Sequence, residues 1–223
     1  MNNTDNHLSQ VLIRKNVLSP VFLDELIRYC DSMNKTDLSV FDPEKSNETG
    51  ETHWRVDKNV RDTQHIDLGP WFPPIHQMLW STVHNIVNPF YNCQVKDSEV
   101  PQILSYGCGG HYGPHIDAEA MWTAPSGEVI WKKSVDRDLS FIFYLNDGYE
   151  GGDLIMPDLG IRIRPERGMM VAFPSNRFYR HGVEPVTNGH RYAMVCWATV
   201  HGQESLEQQN LRLGQQYGCV INN

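Results

Sequence analysis

LSFIFYLNDGYEGGDLIMP, residues 139–157, sets the texture from which the fold is read. Two short apolar runs flank a turn rich in Asn, Asp and Gly, and neither run is as long as an ordinary helix. The same pattern fills the chain from about residue 99 to residue 200: VPQILSY (100–106), IRIRP (161–165), GMMVAFPS (168–175), HGVEPV (181–186) and RYAMVCWATV (191–200). Many short β-rich runs punctuated by Gly, Pro, Asn and Asp predict an antiparallel sandwich or barrel.

Upstream the texture differs. VLIRKNV (11–17) reads as a short strand, and Ser19-Pro20 opens a helix that runs to about residue 33. Val21, Phe22, Leu26, Ile27 and Cys30 mark its buried face. DPEKSNETG (42–50) reads as a loop by composition. A second helix follows the Pro-rich turn at 70–74, with Ile75, Met78, Leu79, Val83, Ile86 and Val87 at helical spacing. His76 and His84 ride on it as surface or packing histidines. QESLEQQNLRLGQQYG (203–218) reads as a short outer helix. The expected chain is thus mainly β with N-terminal helices, an α+β protein of one domain. A helical supporting layer spans 1–98, a β core 99–200 and a polar tail 201–223.

Composition narrows the function. The 223 residues are 40% hydrophobic, enough for a real core, and the formal net charge of -8 opposes a broad nucleic-acid surface. No apolar stretch approaches the ~20 residues of a membrane helix. The start, MNNTDNHLSQ, lacks the basic-then-apolar order of a signal peptide. Five cysteines without a CxxC pair predict reduced thiols and a cytoplasmic setting.

Chemistry concentrates at His115 and Asp117. On a strand, residues two apart share a face, so the imidazole and the carboxylate address one point. Two His and one carboxylate on one face of an octahedron suit Fe(II) and leave positions open. H-x-D alone says little, but His181 offers a third ligand at the head of HGVEPVTNGHR. The Asn188-Gly189 turn suggests a hairpin; if its strands pair, Arg191 returns beside His181. An Arg there makes a bidentate pair with a carboxylate. Alternation groups Arg191, Ala193, Val195 and Trp197 on one face, and Ser140, Ile142 and Tyr144 on another. Together they outline an apolar pocket with one anionic anchor, suited to a short dicarboxylate that chelates the metal at its other end.

These stretches resemble the Fe(II)/2-oxoglutarate-dependent dioxygenases, in particular the prolyl 4-hydroxylase-like branch that includes PKHD-type hydroxylases. YGCGGHYGPHID is similar to that branch's Tyr, Gly-rich turn, Tyr and H-x-D. FYLNDGYEGGDLIMP is similar to its strand, acidic turn and Glu-Gly-Gly entry, and HGVEPVTNGHRYAMVCW to its distal His and Arg. The resemblance covers about 99–200 well and LSPVFLDELI more loosely. It implies a double-stranded β-helix, or jelly roll, with helices on one face. It implies iron held by His115, Asp117 and His181, and 2-oxoglutarate held by Arg191 and Tyr144, with Tyr106 near the co-substrate's other end and Ile142, Val195 and Trp197 along the pocket. The implied reaction hydroxylates a C–H bond with Fe(II), 2-oxoglutarate and O₂, releasing succinate and CO₂, with ascorbate among the expected cofactors. The first substrate candidate is a peptidyl proline or related side chain; a free amino acid or small metabolite is the alternative.

Three departures refine this. Collagen-type enzymes usually carry Lys at the Arg191 position. Nucleic-acid dealkylases add a second Arg where this chain has Trp197. Related halogenases lack the carboxylate that Asp117 supplies. Rival readings are a zinc site on Cys108, His111 and His115 and a non-catalytic jelly-roll binding module. Segments 42–66 and 118–136 have the length and mixed polarity of mobile lids over the site. Arg61, Trp122 and Trp131 are the expected substrate contacts within them.

Overall fold

The computed structural model describes residues 10–49 and 51–221, so the reading of the N-terminal segment lies largely outside the described residues. Strand β1 (Leu12–Arg14) leads into α1 (Pro20–Ser32), then β2 (Thr36–Asp37) and β3 (Val40–Phe41). Helix α2 (Pro43–Thr49) precedes β4 (Trp54–Arg55), β5 (Arg61–Asp62) and β6 (Gln64–Ile66). Helix α3 (Phe72–Thr82) continues through a π turn (Val83–Val87) into α4 (Asn88–Tyr91). Then come β7 (Val95–Ser98), β8 (Gln102–Tyr106), β9 (His111–His115), β10 (Glu119–Thr123), β11 (Val129–Lys133) and β12 (Leu139–Tyr144). The chain closes with β13 (Glu150–Gly151), β14 (Leu154–Met156), β15 (Ile161–Ile163), β16 (Met170–Pro174), β17 (His181–Val183), β18 (Val186–Asn188), β19 (Arg191–Val200) and α5 (Leu206–Tyr217).

Two antiparallel sheets carry the site. The major sheet runs β1-β16-β12-β19-β8-β6-β2, with β7 on the far end of β19, and the minor sheet runs β15-β14-β17-β9-β5. Strand alternation assigns the faces. Phe141, Phe143, Tyr192, Met194 and Cys196 point outward and bury against Leu23, Leu26, Ile75, Leu79 and Val83 of the helices. Ile142, Tyr144 and Ala193 point inward and meet Leu154, Met156 and Phe173 between the sheets. This is the expected jelly-roll core with a helical layer on one face, although β1, β2 and β6 of the first 98 residues extend the major sheet themselves.

Local signals explain the helices. Ser19 caps α1 by accepting from the Phe22 N–H at 3.2 Å, and Pro20 occupies the first turn. Leu23, Leu26 and Cys30 form the buried stripe, whereas Val21, assigned to that face from spacing, is 68% exposed. The expected loop at 42–50 contains α2 instead. Asp42 accepts from the Lys45 N–H at 3.1 Å and Pro43 follows it, an N-cap pair that outweighs the polar composition.

Two further expectations are corrected. The strands bearing His181 and Arg191 do not form a paired hairpin: β17 pairs with β14 and β9 in the minor sheet, while β19 pairs with β12 and β8 in the major one. The linking β18 pairs with β13, so the chain crosses from one sheet to the other. The segment 118–136, expected as a mobile lid, is built around the paired hairpin β10–β11. Helix α5 straps that hairpin: Gln209 accepts from the Lys133 N–H at 2.7 Å, and Trp122 packs on Tyr217 with centroids 5.5 Å apart.

Tyr91 pins the helical layer to the sheet. It is fully buried, and its hydroxyl lies 2.9 Å from the carbonyls of both Gln10 and Ala172. Tyr91→Phe removes the donor and leaves a buried carbonyl short of a partner. It should lower unfolding free energy by about 1–3 kcal/mol in urea titrations without changing the fold seen by circular dichroism.

Candidate active site

His115 ends β9, Asp117 lies two residues past that end, and His181 opens β17, the neighbouring strand. The pairing sets His181 directly opposite His115. Nε2 of His115 lies 3.5 Å from Oδ1 of Asp117, and Nε2 of His181 lies 3.6 Å from Oδ2. The three groups offer ligand atoms all within 4.8 Å of one another, and among the described residues no other His, Cys, Asp or Glu cluster does so. The rival trio of Cys108, His111 and His115 is not assembled: both nitrogens of His111 face backbone carbonyls, of Gly109 at 2.9 Å and Asn59 at 3.2 Å.

Each imidazole is set up for coordination. Nδ1 of His115 donates to the Gly113 carbonyl at 2.9 Å and Nδ1 of His181 to the Tyr179 carbonyl at 3.0 Å, which turns each Nε2 lone pair toward the shared point. Burial pushes the His181 imidazole down to about 4, and His115 adds to this, against an opposing pull from Asp117. Burial raises the Asp117 carboxyl, but the two histidines and the Ser140 hydroxyl outweigh it and hold the group far below the usual carboxylate range. A neutral His181 imidazole and a charged Asp117 carboxylate at pH 7 suit the donor set of a divalent iron.

The anion end of the pocket is equally distinct. Arg191 is fully buried, and its Nε, Nη1 and Nη2 have no hydrogen-bond acceptor; the buried hydroxyls of Tyr144 and Tyr149 lack partners as well. Its guanidinium carbon sits 4.5 Å from the Tyr106 ring centre and 5.2 Å from that of Tyr144. Burial lowers the guanidinium's proton affinity, but the three surrounding tyrosines outweigh that effect and keep it charged. A buried, uncompensated cation ringed by idle donors is costly unless an anion joins it. Gly152 makes room for it: with φ at +66°, a Cβ there would lie 2.9 Å from Cδ of Arg191.

Strand β12 measures the distance between the two ends. Its inward residues are Ser140, Ile142 and Tyr144, paired across to Trp197, Val195 and Ala193. Ser140 donates to Oδ2 of Asp117 at 2.6 Å and shares a 2.8 Å hydrogen bond with Ser175. Tyr144 stands beside Arg191, so the metal end and the anion end are four residues, ~13 Å of strand, apart. Side chains reach inward from both ends and shorten the span left between them.

The expected contacts divide. Tyr106 packs against Arg191, at the anion end rather than the opposite one. Ile142 and Val195 line the middle. Trp197 sits at the metal end of that row, paired across from Ser140, and Arg137 stacks over its ring at 3.7 Å. Arg61 reaches the site through Tyr112, 4.5 Å from that ring, which in turn stacks on His115 at 3.7 Å. Trp131 stands at the edge of a cleft beside Ile116. Trp122 is turned to Tyr217. Residues not singled out from sequence are Ser140 as the hydrogen-bond donor to Asp117, Ser175 behind it, Tyr149 and Arg137. Ser140 had a readable signal, a polar residue on the inward face of an apolar strand. Tyr149 had a weaker one, its place before the Glu-Gly-Gly turn.

Against this geometry, residues 101–199 match the profile of the 2OG-Fe(II) oxygenase superfamily. Over 194 residues the chain is 26% identical to prolyl 4-hydroxylase subunit alpha-1 of Gallus gallus, covering 82% of this chain and 35% of that one. Over 93 residues it is 33% identical to prolyl 3-hydroxylase 2 of Rattus norvegicus, covering 38% of this chain and 13% of that one. The chain thus spans about a third or less of the length of these curated relatives. Its fold is shared by a Trichoplax adhaerens prolyl hydroxylase solved with a hypoxia inducible factor peptide fragment, at TM-score 0.60 and 18% identity over 88% of this chain and 84% of that one. A viral collagen prolyl hydroxylase from Paramecium Bursaria Chlorella virus-1 gives 0.58 and 17% over 87% and 98%. The 2OG-Fe(II) oxygenase profile falls on the segment that carries His115, Asp117, His181 and Arg191, and the solved prolyl hydroxylases share its fold.

The titration of His181 makes a measurable statement about the metal-free protein. An unfolded histidine titrates near 6.5, and the folded one near 4. Between those values the unfolded chain binds more protons, so this contribution to stability is complete above about pH 6.5 and lost as pH falls toward 4. The Asp117 contribution is also lost on acidification, but only below the ordinary carboxylate range. Melting temperature without metal should therefore fall from pH 6.5 to 4, and His181→Asn should flatten that part of the curve.

Proposed function

We propose that this chain hydroxylates a proline within a polypeptide, using Fe(II), 2-oxoglutarate and O₂. The observation that carries the reading is Arg191, a buried cation with all three nitrogens unpartnered, about a dicarboxylate's reach from three converging metal-binding side chains. His115, Asp117 and His181 are the residues proposed to hold the iron. Iron bound there would supply, with 2-oxoglutarate and O₂, the oxidising chemistry: one oxygen atom would go to the C–H carbon and the other to succinate, as the C1–C2 bond of 2-oxoglutarate breaks and C1 leaves as CO₂.

The chain's own groups do the positioning. Arg191 accepts one carboxylate of 2-oxoglutarate in a two-pronged pair, with the hydroxyls of Tyr144 and Tyr149 as further donors. Ile142, Ala193 and Val195 exclude water from its methylene chain. Ser140 keeps Oδ2 of Asp117 oriented, so that the carboxylate presents one face to the metal. At the open side, Arg137 is held by Glu99 through Nε and by a second bond from Nη2 at 2.8 Å, and it donates to the Asp117 carbonyl at 3.2 Å. Arg137 over Trp197 forms a flat, half-buried platform next to Asp117, suited to a target ring and its carbonyl. The prolyl hydroxylases among the relatives support proline as that target. Five unpaired cysteines support a reducing, cytoplasm-like compartment.

Succinate formation under Fe(II), 2-oxoglutarate and ascorbate tests the reading. Asp117→Ala should abolish it while the chain still folds, as read by circular dichroism. Arg191→Lys keeps the charge and loses the fork, so 2-oxoglutarate affinity should fall by about 1–3 kcal/mol. Arg191→Met should weaken it much further. Unchanged 2-oxoglutarate titrations in both Arg191 variants would place the carboxylate anchor elsewhere.

A further inference from the structure

A second recess adjoins the metal-binding side chains. This surface cleft of about 350 Å³ runs past Ile116, Trp131, Leu159 and Phe178, with Arg177 and Arg180 on its rim. Resting on the oxygenase reading above, we infer that it takes an apolar side chain of a polypeptide substrate, flanking the residue that is hydroxylated.

Position is the first argument. Ile116, part of the cleft lining, is the residue between His115 and Asp117. The opposite wall, Arg177 to Arg180, leads directly into His181. An occupant of the cleft is therefore held against the backbone that carries all three metal-binding side chains. It lies outside the inter-sheet pocket where Arg191 awaits an anion. A substrate can fill it while 2-oxoglutarate keeps its own place.

The chemistry of the lining is the second. Phe178 is 61% exposed, Leu159 44% and Trp131 38%, a contiguous apolar surface of the kind that marks a binding face. Its charges are already satisfied. Arg180 forms a forked pair with Asp158, both bonds at 2.8 Å, and Arg177 is held by Glu119, which also accepts the Arg177 backbone N–H at 2.8 Å. The Arg177 guanidinium lies 4.6 Å from the Phe178 ring centre and 5.9 Å from that of Trp131. With both guanidiniums neutralised, an acidic side chain gains little here, and an apolar one gains burial against flat rings.

Preformation is the third. Trp131 stands on the β10–β11 hairpin, which α5 straps in place. Lys133 is central to that strap, donating through Nζ to Asp138 at 2.7 Å and to the Glu204 carbonyl at 2.8 Å. A wall fixed in advance lowers the ordering cost of binding.

The size suits a substrate longer than a lone amino acid. A cleft of about 350 Å³ is by itself as large as the lower range of small-molecule sites, ~300 Å³ upward. A free amino acid with its reactive carbon at the metal has no atoms left to fill it. A polypeptide does, because side chains beyond the target residue continue along the surface.

The test uses the full chain and 15-residue peptides with one central proline, in which Leu or Phe replaces Ala at each of the three positions on either side. Hydroxylation is read by mass spectrometry. At one or two of those positions Leu or Phe should lower KM at least tenfold relative to Ala. That advantage should vanish in Trp131→Ala and in Phe178→Ser, each checked for folding by the melting-temperature rise that 2-oxoglutarate produces. The inference is overturned if no position favours an apolar residue, if both variants keep the preference, or if free proline is turned over as well as the peptides. It is equally overturned if the protein dimerises in a concentration-dependent way that Trp131→Ala abolishes, which would assign the cleft to a second copy. Succinate formed without hydroxylation of any peptide also overturns it, whereas absence of succinate under every condition removes the oxygenase reading on which it rests.

Discussion

Arg191 carries a full positive charge into the space between two β-sheets and meets no acidic side chain there. A charge in that position is tolerable only while the surroundings cannot rearrange to expel it and an anion can reach it. Both conditions are built into the fold. Arg191 begins the longest strand, β19, which lies inside the major sheet between β12 and β8. The side chain of Asn146 brackets it, accepting from the Tyr192 N–H and donating to the His190 carbonyl, both at 2.7 Å. His190 and Ser105 share a further 2.7 Å bond that ties the strand's first turn to β8. The tyrosines at 106, 144 and 149 then supply aromatic faces and hydroxyls rather than carboxylates. That choice leaves the cation available to a ligand, where an Asp or Glu would have consumed it.

The metal end obeys the complementary logic. Asp117 is an anion nearly as buried as Arg191, but it is accommodated by the two imidazoles and by Ser140, and the Ser140–Ser175 pair relays that support into β16. One face of β12 thus connects a hydroxyl that orients a metal-binding carboxylate to a phenol that flanks the anion anchor. Pleating makes the separation between them a property of the backbone, independent of the surrounding loops. Chelation at one end and charge pairing at the other require such a constant length.

The proposed substrate contacts belong to different elements. Tyr112 stacks on His115 and Arg137 on Trp197 beside the metal-binding cluster, and Trp131 on its strapped hairpin lines the cleft at Ile116. They come from the minor sheet, the loop before β12 and a two-stranded appendage, and only the first two touch the groups that hold the metal. The appendage can therefore vary in which neighbouring side chain it favours without disturbing the co-substrate pocket. Its attachment to α5 also explains why polar residues such as Lys133 and Gln209 are partly buried: they fasten the hairpin to the C-terminal helix.

Much of this was legible in the residues alone. Short apolar runs between Gly, Pro, Asn and Asp determined an antiparallel β architecture, because strand length and turn chemistry are local properties. The H-x-D pair, the His181-to-Arg191 spacing and the inward alternation of Ser140, Ile142 and Tyr144 determined the chemistry of the two pocket ends. What sequence distance misjudged was partnership. His181 and Arg191 read as one hairpin, yet they belong to opposing sheets; Trp197 read as part of the co-substrate wall, yet six residues of extended strand carry it away from Arg191. Trp122 and Trp131, close in sequence, were divided between a structural contact and a cleft wall by the pleat of one hairpin and the helix that covers it. Local sequence sets which residues share a face of a strand. Only the tertiary structure decides which face another element covers, since covering depends on long-range packing that no spacing along the chain encodes.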